Sequence, residues 1–259
     1  MDAVLLLGDS ITQQGYCSGW VSSISDALVR RAHVVNSGLS GYNTRWVLEI
    51  LRDPKRCHSI IPAWVREPLF VTVMLGCNDC AEGGQHVPPS EFSENLRAII
   101  SIVLLKVNPK GGVYVLTLPP VHENNWNASH PDRRRYYAAT RLYRQATLQV
   151  LREFSTQQPP RAFAVDVQTA FLRYGAPEAT ESEMDVYDPE GAWTSLLVDD
   201  GLHINAAGGH LLNSTLLSAV RKSPGGARLL QNDEAVWPVP DWTTTMSVHE
   251  SGKDVSNHV

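Results

Sequence analysis

VLLLGDS, residues 4–10, joins a short apolar run to a glycine, an aspartate and a serine near the start of this 259-residue chain. A run of four apolar residues closed by a glycine is typical of a strand buried in a parallel sheet. The sequence therefore predicts a first strand over residues 3–7, with Ser10 just beyond its carboxyl end. Because ligands of open parallel sheets bind outside the carboxyl ends of the strands, Ser10 stands where a nucleophile would meet a substrate.

Outward from this segment, short apolar runs alternate with stretches in which apolar residues recur with a helical period. The runs predict further strands and the periodic stretches predict amphipathic helices. Such alternation is typical of a parallel sheet covered on both faces by right-handed crossovers. The further strands are predicted at residues 33–36, 69–75, 113–118 and 162–167, and the helices at residues 20–32, 42–51, 90–107, 133–154 and 205–220.

Polar residues mark where several of these helices begin. Ser90, after two prolines, is the expected N-cap of the long helix that follows, and Asn205 is the expected N-cap of the last helix. Asn43 or Thr44 can cap the helix between the second and third strands. Residues 174–193 combine Gly, Pro, Glu and Asp without a period, and we expect an irregular loop there.

The chain divides into two regions of different composition. Residues 1–222 contain the whole strand–helix alternation and predict one α/β domain, for which an apolar content of 43% over 259 residues is sufficient. Residues 223–259 begin with Ser-Pro-Gly-Gly and continue as a polar tail, which we expect to be poorly ordered or loosely docked.

Composition excludes several classes of partner. A net charge of −5 and a sequence pI of about 6.0 give no basic surface for nucleic acid. The only dense basic run, Arg133–Arg135, is expected on a solvated helix face. No apolar stretch reaches the length of a membrane span, and the start of the chain does not have the form of a signal peptide. We therefore expect a cytoplasmic protein without integral membrane association.

Metal and redox chemistry are not expected. The four cysteines fit reduced thiols. Cys77-x-x-Cys80 has metal-ligand spacing but lacks a second pair, and the histidines show no ligand clustering. The sequence therefore predicts no metal site and no cofactor.

A serine nucleophile needs a general base within hydrogen-bond reach and a third group that orients the base. His203 is the candidate base, because Asp200 stands three residues before it and can reach its Nδ1–H, which fixes the tautomer and stabilises the imidazolium. Asp199, four residues before the histidine, is the alternative orienting group. The three-residue spacing favours Asp200.

Attack on an ester carbonyl creates an oxyanion, which must meet hydrogen-bond donors already aimed at it. The candidate donors are the backbone N–H of Ser10, the backbone N–H of Gly41 and the side-chain amide of Asn78. Asp9 is expected to hold the nucleophile turn by a local hydrogen bond, and Asp79 to cap a turn. Together these segments predict a serine hydrolase.

Four sequence blocks carry a resemblance to a known family. They read GDSIT at residues 8–12, NSGLSG at 36–41, GCND at 76–79 and DGLH at 200–203. They resemble the four blocks of the SGNH (GDSL) hydrolase superfamily, and the resemblance covers residues 3–220. Residues 38–46 and 116–121 resemble the isoamyl acetate-hydrolysing esterase subfamily in particular.

The resemblance implies a flavodoxin-like three-layer α/β/α sandwich with a central five-stranded parallel sheet. It implies that Ser10 is the nucleophile, His203 the base and Asp200 its partner. It also implies that Ser10, Gly41 and Asn78 form the oxyanion hole. The implied substrate is a small-molecule carboxylic ester with a short acyl chain, hydrolysed without a cofactor. The sequence leaves the oligomeric state open, with a homodimer as one candidate.

Two other hypotheses stay open. A hydrolase of different specificity would act as a carbohydrate deacetylase, a lysophospholipase or a thioesterase, and its acyl-chain preference would separate it from a short-chain esterase. A catalytically silent relative would instead serve as a binding module, although every expected catalytic group is present. Residues 175–193, shortly before Asp200, are placed to shape the acyl or alcohol pocket.

Overall fold

The structure of the protein is a computed structural model that describes residues 1–231. Its strands are β1 (Asp2–Gly8), β2 (Ala32–Gly38), β3 (Phe70–Met74), β4 (Val113–Leu116) and β5 (Ala162–Val165). They form one parallel sheet in the order β2-β1-β3-β4-β5. This is the flavodoxin-like strand order, so the predicted five-stranded α/β fold is confirmed.

Helices connect the strands and cover the sheet. In chain order they are α1 (Ser10–Gln13), α2 (Trp20–Ala27), α3 (Thr44–Arg52), α4 (Cys57–Ile60), α5 (Pro89–Val107), α6 (Glu123–Ser129), α7 (Tyr137–Ser155), α8 (Val167–Leu172), α9 (Glu181–Met184), α10 (Ala206–Lys222) and α11 (Gly226–Leu229). Helix α5 packs between α3 and α7, and α10 packs against α2 and α8. These two groups form the two helical layers that right-handed crossovers produce.

Three strands end level with one another at one edge of the sheet. Gly8 of β1 is paired with Gly38 of β2 on one side and with Met74 of β3 on the other. The segments that follow these strands, the one with Ser10 included, therefore leave the sheet at the same edge. The chain crosses from β1 to β2 and then back over β1 to β3, so this edge is also the topological switch point, where open α/β sheets bind ligands.

The apolar run that predicts β1 is buried throughout. Val4, Leu5, Leu6 and Leu7 are each at most 1% exposed. A strand buried on both faces is expected at the centre of a parallel sheet covered by two helical layers. Ser10 thus follows a strand whose apolar residues lie inside the core.

The start of α5 and the end of α2 differ from the prediction. Ser90 is not the N-cap of α5, because Pro88 occupies that position and Pro89 is the first helical residue. Proline is tolerated there, since the N–H of the first helical residue has no partner within the helix. Helix α2 ends at Ala27 and not at residue 32, which already belongs to β2.

Two predicted caps are confirmed. Asn43 accepts the N–H of Trp46 at 3.0 Å at the start of α3. Asn205 accepts the N–H groups of Ala207 and Gly208 at 2.9 and 3.1 Å at the start of α10. Both helices therefore begin where a short polar side chain satisfies an otherwise unpaired backbone donor.

The prediction that Arg133–Arg135 lies on a solvated helix face is wrong. Helix α7 begins only after Tyr136, whose backbone is extended, so the three arginines belong to the preceding loop. Asn127 of α6 holds this loop, because its amide accepts the N–H of Arg135 at 2.8 Å and donates to its carbonyl oxygen at 3.0 Å. The Arg135 side chain is consequently turned inward and is only 2% exposed.

Residues 174–193 are mostly irregular, as predicted, but they contain α9. Two buried arginines of α7 hold this helix in place. Arg141 Nη2 lies 2.9 Å from Glu181 Oε2, and Arg144 Nη2 lies 3.0 Å from Glu181 Oε1. Arg144 also pairs with Asp166 at 2.6 Å. The segment is therefore fixed to the body of the protein by charge–charge contacts.

The prediction for the polar tail concerns residues 223–259, of which residues 232–259 lie outside the described part of the chain. Within the described part, α11 follows α10, and the carbonyl oxygen of Gln231 accepts a hydrogen bond from Arg31 at 2.8 Å. None of the helices between residues 1 and 231 has both the length and the apolar character of a membrane span.

Gly209 of α10 lies where this helix meets the start of α2, and a Cβ there would lie 1.8 Å from the carbonyl oxygen of Ser18. A Cβ at Gly84 would meet nothing within 4 Å. We expect Gly209→Ala to lower the free energy of unfolding by about 1–3 kcal/mol, the usual cost of overpacking, and Gly84→Ala to change it by less than about 0.5 kcal/mol. Urea denaturation measures both. Equal unfolding free energies for the two variants would contradict the close contact between α10 and α2.

Candidate active site

Ser10 stands in the first turn of α1, directly after β1. Asp9 is the N-cap of this helix, and its Oδ1 accepts the N–H of Ile11 at 3.0 Å, as predicted. Gly8 leaves no room for a side chain, because a Cβ would lie 2.1 Å from Thr12 Oγ1. This tight turn presents Ser10 at the edge of the sheet, with 6% of its surface exposed.

The structure brings Ser10, His203 and Asp200 into one hydrogen-bonded line. Ser10 Oγ lies 2.8 Å from His203 Nε2, and His203 Nδ1 lies 2.6 Å from Asp200 Oδ2. The other carboxylate oxygen, Asp200 Oδ1, accepts the N–H groups of Leu202 and His203 at 2.8 and 2.9 Å. The carboxylate is fixed through both oxygens, and it holds the imidazole with Nε2 toward the serine.

Asp200, and not Asp199, contacts the histidine. Asp199 is exposed, and its backbone carbonyl accepts a hydrogen bond from Asn125 at 3.4 Å. Partial burial raises the pKa of Asp200, but the hydrogen bonds from His203 and from the N–H of Leu202 outweigh burial and leave the pKa below its ordinary value of 3.8. The Asp200 carboxyl group is therefore ionised at neutral pH, as the orienting partner of a basic imidazole must be.

The candidate oxyanion donors Gly41 and Asn78 are tied together by Gln85. Its Nε2 donates to the carbonyl oxygen of Gly41 at 2.7 Å and to Asn78 Oδ1 at 3.2 Å. Gly41 has a φ of +80°, a conformation that favours glycine. Asn78 Nδ2 gives one hydrogen to the carbonyl oxygen of Tyr42 at 2.8 Å and keeps a second. Among the described residues, the backbone N–H groups of Ser10 and Gly41 donate to no protein acceptor.

Asp79 connects the segment after β3 to the segment after β2. Its side chain caps the start of α3 instead of its own turn, accepting the N–H of Thr44 at 3.0 Å and the hydroxyl group of the same threonine. Burial raises the pKa of Asp79 to about 7, although the hydrogen bonds from Thr44 lower it. The contact holds the Gly41 region against the Asn78 region.

Arg135 is part of this site, and sequence reasoning missed it. Its Nε donates to the carbonyl oxygen of Cys77 and its Nη2 to Asn78 Oδ1, both at 2.7 Å. The guanidinium carbon lies 4.2 Å from the centre of the Trp126 ring, a cation–π contact. Nothing in the run of three arginines separates the buried one from its two exposed neighbours, so the sequence offers no signal for it.

Aromatic side chains pack around α6, next to His203. The Trp126 ring of α6 meets the His203 ring edge-on, with 6.4 Å between centroids. Tyr187 and Trp193 contact His122, the residue before α6, at 6.2 and 6.4 Å. Residues from the 174–193 segment thus pack against the element that carries Trp126.

Comparison with known proteins identifies relatives in the GDSL hydrolase group that the sequence motifs resemble. The model of the GDSL-like Lipase/Acylhydrolase family matches residues 6–211. The isoamyl acetate-hydrolyzing esterase 1 homolog of Bos taurus is 41% identical over 128 residues, covering 48% of this chain and 50% of that protein. The Rattus norvegicus homolog is 38% identical over 162 residues, covering 59% and 64%. The matched part thus spans between half and two thirds of these two relatives. The Homo sapiens homolog is 29% identical over 236 residues, covering 88% and 84%.

Solved structures of low sequence identity share the fold. An acetyl xylan esterase, AlAXEase, superposes with a TM-score of 0.59 at 21% identity, covering 84% of this chain and 99% of its own. A lipase/acylhydrolase from Enterococcus faecalis superposes with a TM-score of 0.58 at 19% identity, covering 85% and 96%. The resemblance drawn from the four sequence blocks is confirmed by the family match and the curated relatives.

The raised pKa of Asp79 predicts a pH-dependent stability. Between its ordinary value of 3.8 and about 7, the folded protein keeps a proton that the unfolded chain has released, so stability falls as pH rises through this window. We expect the wild type to lose stability relative to Asp79→Asn as the pH rises. The difference between their free energies of unfolding, wild type minus variant, should decrease by up to about 1.4 kcal/mol per pH unit between roughly pH 4.5 and 6.5.

Urea denaturation at several pH values within that window measures this difference. Asparagine keeps an acceptor for Thr44 but cannot ionise, so groups common to both proteins cancel. A difference that stays constant with pH would mean that Asp79 is already ionised in the folded protein.

Proposed function

The chain belongs to the GDSL-like lipase/acylhydrolase family, and from this premise we propose that it is a serine esterase that hydrolyses short-chain carboxylic esters. The observation that carries the proposal is the line from Ser10 Oγ through His203 to Asp200, with distances of 2.8 and 2.6 Å. A serine with a base and an orienting carboxylate in this geometry is activated for attack on a carbonyl carbon.

In the proposed acylation step, Ser10 Oγ attacks the ester carbonyl while His203 Nε2 takes the hydroxyl proton. Asp200 stabilises the imidazolium that forms. The oxyanion of the tetrahedral intermediate is met by the free N–H groups of Ser10 and Gly41 and by the second hydrogen of Asn78 Nδ2. Donors fixed in advance stabilise this charge without reorganising during the reaction.

The intermediate then collapses to an acyl-enzyme. His203 gives its proton to the departing alkoxide, and the alcohol leaves. In the second half of the reaction, His203 takes a proton from a water molecule, whose oxygen attacks the acyl carbon. His203 then gives this proton to Ser10 Oγ as the bond between the acyl carbon and the serine oxygen breaks, which releases the carboxylic acid and the free serine. Every proton movement in this scheme uses the histidine, and no step requires a cofactor.

The acyl group that we propose is acetyl. The curated relatives are named for hydrolysis of isoamyl acetate, and one structural neighbour is named an acetyl xylan esterase. Both names describe removal of an acetyl group from an alcohol, although the alcohols differ. They support a small acyl pocket and say less about the alcohol side of the substrate.

Hydrolysis of p-nitrophenyl esters from acetate to palmitate tests the proposal. We expect the rate to be highest at the acetate-to-hexanoate end and to fall at least about 10³-fold in Ser10→Ala, because the nucleophile is lost. Ser22→Ala, on the exposed side of α2, is the matched control and should keep wild-type activity.

Other outcomes would change the assignment. A maximum at long acyl chains would favour lysophospholipid or thioester substrates. Weak activity on these esters together with strong release of acetate from acetylated sugars would favour a carbohydrate deacetylase. A rate that does not depend on Ser10 would contradict the proposed nucleophile, and no Ser10-dependent rate on any ester would favour a binding module.

The two aspartates before His203 provide a sharper test of the triad. Asp200→Asn should lower kcat by roughly 10²- to 10⁴-fold, because the amide cannot stabilise the imidazolium and can favour the wrong tautomer. Asp199→Asn should change kcat by less than about twofold, the ordinary effect of a distant surface change. Steady-state kinetics on p-nitrophenyl acetate compares them. The reverse ranking would transfer the orienting role to Asp199.

A further inference from the structure

Arg135 occupies an unusual position for a charged side chain. Its guanidinium is buried, and its hydrogen-bond acceptors among the described residues are the Cys77 carbonyl oxygen and Asn78 Oδ1, both uncharged. A buried cation costs free energy unless it is paired with an anion. The buried carboxyl group of Asp9 interacts with this cation through charge, but it is not hydrogen-bonded to it. The hydrogen bonds of the guanidinium are directed at the Cys77–Asn78 segment, which is part of the candidate site.

The proposed function of the Asn78 side chain depends on the orientation of its amide group. An amide can adopt two orientations that exchange its oxygen and nitrogen, and only one of them turns Nδ2 toward the oxyanion. In the structure, Nδ2 donates to the carbonyl oxygen of Tyr42, while Oδ1 faces Arg135 and Gln85. Loss of this orientation would replace a donor by an acceptor beside the developing negative charge.

Arg135 and the carbonyl oxygen of Tyr42 both favour this orientation, one through Oδ1 and the other through Nδ2. Arginine has donors and no acceptor, so a reversed Asn78 would place its NH₂ group against the guanidinium N–H at a separation of 2.7 Å. Gln85 supports the same orientation, because its Nε2 is held by the carbonyl oxygen of Gly41 at 2.7 Å and donates to Asn78 Oδ1 at 3.2 Å. Arg135 differs from Tyr42 and Gln85 in carrying a positive charge. The positive charge also draws electron density toward Oδ1 and so strengthens the remaining Nδ2–H as a donor.

The surroundings hold Arg135 in place for this task. The amide of Asn127 binds its backbone in both directions, and the Trp126 ring lies under its guanidinium. Trp126 is itself fixed by a hydrogen bond from Nε1 to the carbonyl oxygen of Arg133 at 2.7 Å. The loop before α7 is thereby attached to α6, and the guanidinium has a defined position next to Asn78.

We propose that Arg135 is a positioning residue that orients and polarises the Asn78 amide for oxyanion stabilisation. The inference rests on the proposed esterase function of the same site. It is distinct from a catalytic role, since Arg135 acts through Asn78 and does not itself touch the substrate.

A double-mutant cycle on p-nitrophenyl acetate tests whether Arg135 acts through Asn78. Arg135→Met should lower kcat about 10- to 100-fold with KM changed by less than about threefold, because the oxyanion forms only in the transition state. In the Asn78→Ala background, where no amide remains to be oriented, Arg135→Met should lower kcat by less than about twofold more. Arg135→Lys keeps the charge and one donor and should retain more activity than Arg135→Met.

The neighbouring Arg134→Met, at an exposed position of the same loop, is the matched control and should leave kcat unchanged. Thermal unfolding of each variant establishes that it is folded. If Arg135→Met lowers kcat by the same factor in both backgrounds, the residue acts independently of Asn78 and the proposal is wrong. No effect of Arg135→Met on kcat in the wild-type background would also overturn it.

A measurement without turnover separates this inference from the proposed function. In ¹⁵N-labelled protein, the side-chain NH₂ signals of Asn78, identified by their absence in Asn78→Ala, should shift or split in Arg135→Met and stay in place in Arg134→Met. Unchanged Asn78 signals in Arg135→Met would refute the positioning role even in an active enzyme. If the wild type hydrolyses no ester in a Ser10-dependent manner, the esterase proposal fails and these signals still decide the contact between the two residues.

Discussion

The close approach of α1 to the end of β2 is the constraint on which the site depends. A Cβ at Gly38 would lie 2.1 Å from the backbone nitrogen of Gln13, and the N–H of Leu39 bonds to the carbonyl oxygen of Gly8 at 2.8 Å. The absence of side chains at Gly8 and Gly38 lets the turn that carries Ser10 lie directly on the sheet edge. The serine consequently stands next to the chain that leads from β2 to Gly41, so the proposed nucleophile and a proposed backbone donor are positioned by the same packing.

Two buried carboxyl groups, those of Asp9 and Asp79, lie beneath this edge. Burial raises the pKa of Asp9 to about 6, against the lowering effects of the Ile11 N–H, of His203 and of Arg135. Burial likewise raises the pKa of Asp79, which holds α3 against the segment after β3. Groups removed from water and held by several partners do not reorient when charge develops on a substrate, and this is the property that electrostatic catalysis requires. Their burial lowers stability, which the apolar core of β1 and β3 offsets.

Much of this arrangement can be predicted from local sequence, and the parts that cannot be predicted have a physical reason. The strands, the turn at Asp9 and the pair Asp200–His203 could be predicted because each depends on residues a few positions apart. Arg135 could not, because it meets Asn78 across 57 positions of the chain. The start of α7 differs from the prediction for a related reason. The amide of Asn127, on a different helix, binds the backbone of Arg135 in both directions and holds it out of the helix.

Trp126 contacts both Arg135, which is bonded to Asn78, and His203, which is bonded to Ser10. One side of its ring contacts the guanidinium of Arg135, and its edge meets the ring of His203. In the proposed mechanism, Arg135 acts on the oxyanion through Asn78 and His203 moves the proton. One aromatic residue thus packs against both the proposed base and the group proposed to orient a donor. Because the 174–193 segment packs on the same helix through His122, changes in that segment can alter the substrate pocket and the geometry of the base together.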